Sequence, residues 1–293
     1  MTPFLFKSIF RLLSFLPLRW LHGLGALLGR ITFASSKQYA ARTEENLRQS
    51  KLAKDEPDYA SLLKRTVAEA GKSIVELPWI WGRPLRQVCS AVRNCQGWGL
   101  VEAARASGKG IIFLTPHWGC FEITGLYIGH RLPLTNLYSS PKQDWLEPVM
   151  RRGRERGLAR LATADISGVR LLYKALKRGE AIGLLPDQVP SQGDGVWADF
   201  FARPAYTMTL SGRLAESSGA TVLLAYAERL PKGAGYTLNF EPLPLDFSKS
   251  VPLQINAALE RVIAISPAQY LWSYNRYKVP NGVLPPVAGE HAC

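Results

Sequence analysis

Residues 108–122 read GKGIIFLTPHWGCFE, and the fold is decided by how this stretch is divided. GIIFLT (110–115) is a continuous apolar run opened by glycine and closed before Pro116, the pattern of a strand covered on both faces. Phe121 to His130 continues with helical spacing, so a buried strand passes through a short turn into a helix. Working outward, further strands are expected at Leu134 to Tyr138, AIGLLP (181–186), ATVLLAYAE (220–228) and YTLNFE (236–241). Helices are expected over Gln143 to Leu161, Gly168 to Arg178, Tyr206 to Ser218 and Pro252 to Ile265, and residues 37–86 read as helical with a polar face. Strand–helix alternation with apolar strands predicts an α/β fold: an open, mostly parallel sheet with helices on both faces. No repeat or long linker divides residues 35–280, which read as one domain, and residues 281–293 read as a flexible tail.

Composition narrows the function classes. The 293 residues carry 36 Lys and Arg against 23 Asp and Glu, a net charge of +13. Residues 1–110 account for +9 of it, residues 111–190 for +4, and the remainder is neutral. An anionic partner is implied: nucleic acid, a membrane surface or an acidic carrier. No zinc-finger spacing, RNA-binding aromatic signature or basic region leading into heptads accompanies the charge, which argues against nucleic acid. Cys89, Cys95, Cys120 and Cys293 are too few and scattered for a disulfide scaffold and read as reduced thiols.

Residues 4–34, FLFKSIFRLLSFLPLRWLHGLGALLGRITFA, are strongly apolar but interrupted by Lys7, Arg11, Arg19 and Arg30. At helical spacing the cations fall on one side, leaving an apolar body and Trp20, the composition of a helix lying in a membrane surface. A tilted span and a buried core helix are the alternatives, and a signal peptide fits poorly because the charges run through the apolar region. Pro17 and the Gly23/Gly25 pair are expected to break the segment in two.

The turn after the first buried strand holds the candidate chemistry. In open α/β sheets reactive groups collect at the carboxyl ends of the strands. His117 in that turn, with Glu122 five residues on in the first helical turns, predicts a pair in which Glu122 fixes the imidazole tautomer and the other ring nitrogen takes a proton from a hydroxyl. A capping histidine with an unrelated surface glutamate has the same spacing. A zinc site from His117, Cys120, Glu122 and His130 lacks recognisable ligand spacing, and a Cys120 nucleophile competes with the ordinary role of cysteine as a small core residue. Arg151, Arg152, Arg154, Arg156 and Arg160 form either a solvated face or a guanidinium fork for phosphate or carboxylate. Asp187-Gln188 follows AIGLLP at its carboxyl end, as a turn cap or as site residues.

Taken in order, these pieces resemble the lysophospholipid-acyltransferase superfamily and, within it, the bacterial lipid A late acyltransferases. The matching stretches are the basic apolar N-terminus, ARTEENL around Arg42 to Leu47, GKGIIFLTPHWGCFE, SSPKQDWLEPVMRRGRERG, LLYKALKRGEAIGLLPDQ, WADFFARPAYT and SPAQYLWSYNRYKVP. The resemblance implies a glycerol-3-phosphate-acyltransferase-like fold and transfer of a fatty acyl chain from an acyl-carrier protein thioester to a hydroxyl of a Kdo-bearing tetraacylated lipid A precursor. The work would be done at the cytoplasmic face of the bacterial inner membrane, with no metal or redox cofactor. His117 and Glu122 would be the catalytic pair, and Arg154, Asp187 and Gln188 would bind substrate. Asp199-Phe200-Phe201-Ala202 stands where the family often has Pro-Phe-Phe-Gly, and Gln49-Ser50-Lys51-Leu52 replaces an early Cys-Phe-Pro-Glu-like segment. Acylation of another membrane acceptor, a glycolipid or lysophospholipid, and a catalytically idle membrane-bound interaction protein are the competing functions.

Overall fold

The structure is a computed structural model that describes residues 3–286. In chain order the elements are α1 (Pro3–Ser14), α2 (Leu18–Ser35), α3 (Lys37–Gln49), α4 (Glu56–Val75), α5 (Leu77–Gly82), α6 (Leu85–Ser90), β1 (Val92–Gln96), α7 (Trp98–Ala106), β2 (Ile111–Leu114) and α8 (Phe121–Gly129). They continue with β3 (Leu134–Tyr138), α9 (Glu147–Arg154), β4 (Ala159–Thr163), α10 (Ile166–Lys177), β5 (Ala181–Leu184), β6 (Gly195–Phe200), β7 (Arg203–Met208), α11 (Leu210–Ser218), β8 (Thr221–Arg229), β9 (Tyr236–Pro242) and α12 (Val251–Ile265).

Seven strands form one sheet in the order β1-β9-β8-β2-β5-β3-β4. Every pairing in it is parallel except β8 with β9. Parallel neighbours require crossovers, which carry helices to the sheet faces. β2 lies centrally between β5 and β8, and all four of its residues are buried. It therefore tolerates an apolar side chain on either face, which is why IIFL shows no alternation.

Two expected helices change, and one edge strand was not expected at all. The segment 143–161 is not one helix: α9 ends at Arg154 and β4 follows, an edge strand whose exposed Arg160 hides the apolar pattern. The helix expected from Tyr206 starts at Leu210, because residues 195–208 form the separate β6–β7 hairpin. β1, at the other edge, reads VRNCQ and is largely exposed, so it lacks an apolar signal. In the expected tail, Gly282 and Leu284 carbonyls accept hydrogen bonds from Gln192 and Trp197, and residues 287–293 lie outside the described residues.

The N-terminal segment is two helices, divided at Pro17. Gly23 and Gly25 do not interrupt α2. Instead Gly25 and Gly29 let α2 cross α4 backbone to backbone: a Cβ at Gly29 would lie 2.3 Å from the Val67 carbonyl oxygen, and one at Gly71 would lie 2.0 Å from that of Gly25. No helix among the described residues is long and apolar enough to cross a membrane, so the single-span alternative finds no support. Leu5, Ile9, Leu12 and Phe15 on α1, and Trp20, Leu27 and Ile31 on α2, are instead exposed beside Lys7, Arg11, Arg19 and Arg30.

The inner side of α2 is tied down by charge. His22 Nε2 lies 3.0 Å from Glu76 Oε2, which also accepts from Tyr236 Oη at 2.8 Å and from Arg229 Nε at 3.0 Å. Arg229 reaches on to the Gly119 carbonyl at 2.9 Å. Burial pushes the Glu76 carboxyl up, but Arg229 and His22 more than offset this and bring it to about 2. A lowered folded-state value means that the stabilisation is present above the ordinary value and lost as pH falls through the lowered one. Glu76→Gln, which leaves Arg229 incompletely paired, is expected to cost about 3 kcal/mol at neutral pH. Denaturant unfolding should show the gap to wild type closing as pH falls from 4.5 toward 2.

Candidate functional site

Because β2 and β5 are neighbours in register, with Leu114 opposite Leu184, the turns that follow them emerge side by side. The first carries His117 and the second Asp187. The β2 turn is held to the body at successive residues: the His117 carbonyl accepts from Leu271 N–H, Gly119 N–H donates to the Gln269 carbonyl, and Cys120 N–H donates to that of Ala227. Gly119 has φ +58°, and a Cβ there would lie 2.0 Å from the Ala227 oxygen, so only glycine fits. The Trp118 side chain is fully buried and anchors the turn by donating from Nε1 to the Ser266 carbonyl at 2.9 Å.

Asp187 holds His117 twice: Oδ2 accepts the His117 backbone N–H at 2.7 Å, and Oδ1 lies 2.8 Å from Nδ1. Burial pushes the Asp187 carboxyl up, but the His117 ring and backbone N–H outweigh it and hold it below the usual carboxylate range. An ionised carboxylate only accepts, so Nδ1 carries a proton, and in the neutral imidazole the lone pair is the one on Nε2. The Gln188 amide nitrogen lies 3.1 Å from that Nε2, and the Phe121 ring packs against the imidazole at 4.8 Å between centroids.

The expected hydrogen bond from the imidazole to Glu122 is replaced by the one to Asp187. Glu122 belongs to the first turn of α8, where the helix terminus favours a carboxylate. Its Oε2 accepts from Arg154 Nε and from Trp81 Nε1, both at 3.0 Å, and Oε1 accepts from Arg154 Nη2. Burial lowers the basicity of Arg154, but the charge of Glu122 and its hydrogen bonds raise the net value above that of a free guanidinium. Arg154 therefore stays charged, and Trp81 is a third member of the cluster that nothing in the motif spacing announced.

The five-arginine cluster disperses. Arg154 alone among the five lines the chamber described below. Arg151 pairs with Glu155 and donates to Tyr138 Oη, while Arg156 donates to the carbonyls of Ile80, Trp81 and Arg83 and so ties α5 to the strand end. Arg152 and Arg160 are exposed. Cys120 is fully buried, and desolvation, reinforced by Glu76, holds its thiol well above the ordinary value, the opposite of an activated nucleophile. His130 caps the far end of α8 and does not converge with His117 and Glu122. Among the described residues, no group of three or more His, Cys, Asp and Glu side chains could hold a metal ion.

His117, Glu122, Arg154 and Gln188 line one chamber of about 710 Å³, whose lining also includes the apolar Phe113, Leu126, Ile128 and Leu134. It runs between α8 and the strands, and Gly125 and Asn136 both line it, close enough that a Cβ at Gly125 would lie 3.3 Å from Asn136 Nδ2. An imidazole nitrogen and a fixed guanidinium lining one largely apolar chamber can deprotonate a hydroxyl, hold an anion and sequester a hydrocarbon chain.

Comparison with known proteins points to one family. Residues 1–279 match the family model described as bacterial lipid A biosynthesis acyltransferase. The chain is 27% identical to the lipid A biosynthesis lauroyltransferase of Escherichia coli (strain K12), over 92% of this chain and 89% of that protein. It is 28% identical to the palmitoleoyltransferase of the same strain, over 71% and 68% of the two chains. A lipid A biosynthesis acyltransferase of Haemophilus influenzae is 27% identical over 59% of this chain and 55% of its own length.

Proposed function

The chain belongs to the bacterial lipid A biosynthesis acyltransferases, and from that premise we propose that it moves a fatty acyl chain from an acyl-carrier protein thioester to a hydroxyl of a Kdo-bearing tetraacylated lipid A precursor, at the cytoplasmic face of the inner membrane. The observation that carries the reading is the imidazole of His117, held at Nδ1 by Asp187 and presenting Nε2 to an apolar chamber beside Arg154.

The acceptor hydroxyl gives its proton to His117 Nε2 as its oxygen attacks the thioester carbonyl. Asp187 stabilises the imidazolium that forms. Collapse of the tetrahedral intermediate breaks the C–S bond, and the departing thiolate recovers the proton from His117. The activated hydroxyl is itself the nucleophile, so no acyl-enzyme forms. Glu122 acts through Arg154: it occupies Nε and Nη2 and leaves Nη1 for an anionic group of the acceptor. The apolar wall holds the donor chain, and the exposed apolar residues of α1 and α2 with their flanking cations rest on the anionic membrane. An acidic donor carrier suits the same positive surface.

Mass spectrometry of lipid A from cells lacking the protein tests the acceptor. The loss of one secondary acyl chain, restored by the wild-type gene, is the expected result; unchanged acylation would move the reaction to another glycolipid or to a lysophospholipid. Chamber depth gives a second test. Gly125→Leu puts a side chain into the chamber against Asn136, and kcat/KM for the longest accepted donor is expected to fall about tenfold or more relative to the shortest. Equal loss for all donor lengths would place the chain elsewhere.

A further inference from the structure

We propose that Gln188 is a gate on the base, closing His117 to water until the acceptor hydroxyl displaces it; the inference rests on the acyl-transfer reading above. With Nδ1 committed to Asp187, the lone pair on Nε2 is the basic site of the imidazole, and the Gln188 amide faces it at 3.1 Å. This is where an acceptor hydroxyl has to arrive.

The geometry suits a side chain that swings on a fixed backbone. Gln188 lies between two pinned neighbours: Asp187 is bound to His117, and Val189 N–H donates to Tyr274 Oη at 2.9 Å. Tyr274 is fixed in turn, because Asn46 Nδ2 donates to the carbonyls of Trp272 and Tyr274. Among the described residues the Gln188 side chain makes the one hydrogen bond to His117, so opening breaks a single neutral contact. A hydroxyl delivered by an acceptor anchored elsewhere in the site can make that exchange, whereas a single water has no comparable binding energy to draw on.

The reaction that the gate opposes is hydrolysis of the donor. A water oxygen would attack the thioester carbonyl and give a proton to Nε2, the C–S bond would break, and the thiolate would take the proton back, releasing free fatty acid and carrier thiol. Closing Nε2 with an amide keeps a loaded donor intact while the enzyme waits for acceptor.

Thiol release from acyl-carrier protein thioester, measured without acceptor, tests the gate. Gln188→Ala is expected to raise it about tenfold over wild type, and adding His117→Gln should abolish the gain. Gln188→Glu, which keeps the shape but places a carboxylate beside Nε2, should move the acid limb of the pH–rate profile for transfer to higher pH. Release from Gln188→Ala at or below the wild-type rate, release that survives loss of His117, or an unmoved profile in Gln188→Glu would overturn the gate. A His117-dependent rise in thiol release with no acyl transfer to the lipid by wild type would leave the gate standing and reject the acceptor. Normal transfer with unchanged release would do the reverse.

Discussion

Replacing His117 with glutamine is expected to lower kcat for acyl transfer by about 10²–10⁴. Glutamine retains an amide donor for Asp187, so the buried carboxylate keeps a partner, but it has no atom basic enough to take the hydroxyl proton. The loss should fall on kcat, with KM for donor and acceptor little changed, because the chamber wall and Arg154 are untouched. Retained far-UV circular dichroism and an unfolding midpoint near that of wild type would separate lost chemistry from lost structure. A kcat within a few-fold of wild type would remove His117 from the reaction.

The second large effect is expected at Asp187. Asp187→Asn is nearly isosteric, yet its amide N–H faces Nδ1 as a donor. The imidazole then adopts the other tautomer, with the proton on Nε2, and the base is blocked. A fall in kcat of about 10⁴ is expected, the size seen when a triad aspartate is replaced by asparagine in serine proteases. Glu122→Gln should behave differently. It weakens the hold on Arg154 Nε and Nη2, so the expected signature is a raised KM for the anionic acceptor that exceeds any loss of kcat. The contrast separates a carboxylate that orients the base from one that orients a guanidinium. If Glu122→Gln abolished kcat and Asp187→Asn spared it, the two assignments would be exchanged.

The central strand and its turn were legible because burial on both faces leaves a continuous apolar run, and because reactive groups gather where such strands end. The alternation of strands and helices likewise foretold a mostly parallel sheet. The partner of His117 was not legible. Glu122 is five residues away in sequence, whereas Asp187 is seventy away and meets the ring because β5 takes the place beside β2. Strand order is a property of the whole sheet, and no local spacing records it. Trp81 reaches Glu122 from α5 for the same reason. The missed strands lie at the sheet edges or in the hairpin, where Arg93, Arg160 and Asp199 interrupt the apolar pattern. The Gly23/Gly25 pair misled in a simpler way: glycine in a helical sequence suggests a break, but Gly25, together with Gly29, is the contact surface on which α2 meets α4.

The most direct test of the account is a single-turnover reaction of the purified protein in anionic vesicles with acyl-carrier protein thioester and the tetraacylated, Kdo-bearing lipid, followed by the mass of the lipid. The account predicts that the lipid gains the mass of one acyl chain as one thiol is released, and that neither change occurs with His117→Gln. A lipid of unchanged mass with wild-type protein, or the same acyl gain with the His117 variant, would contradict it.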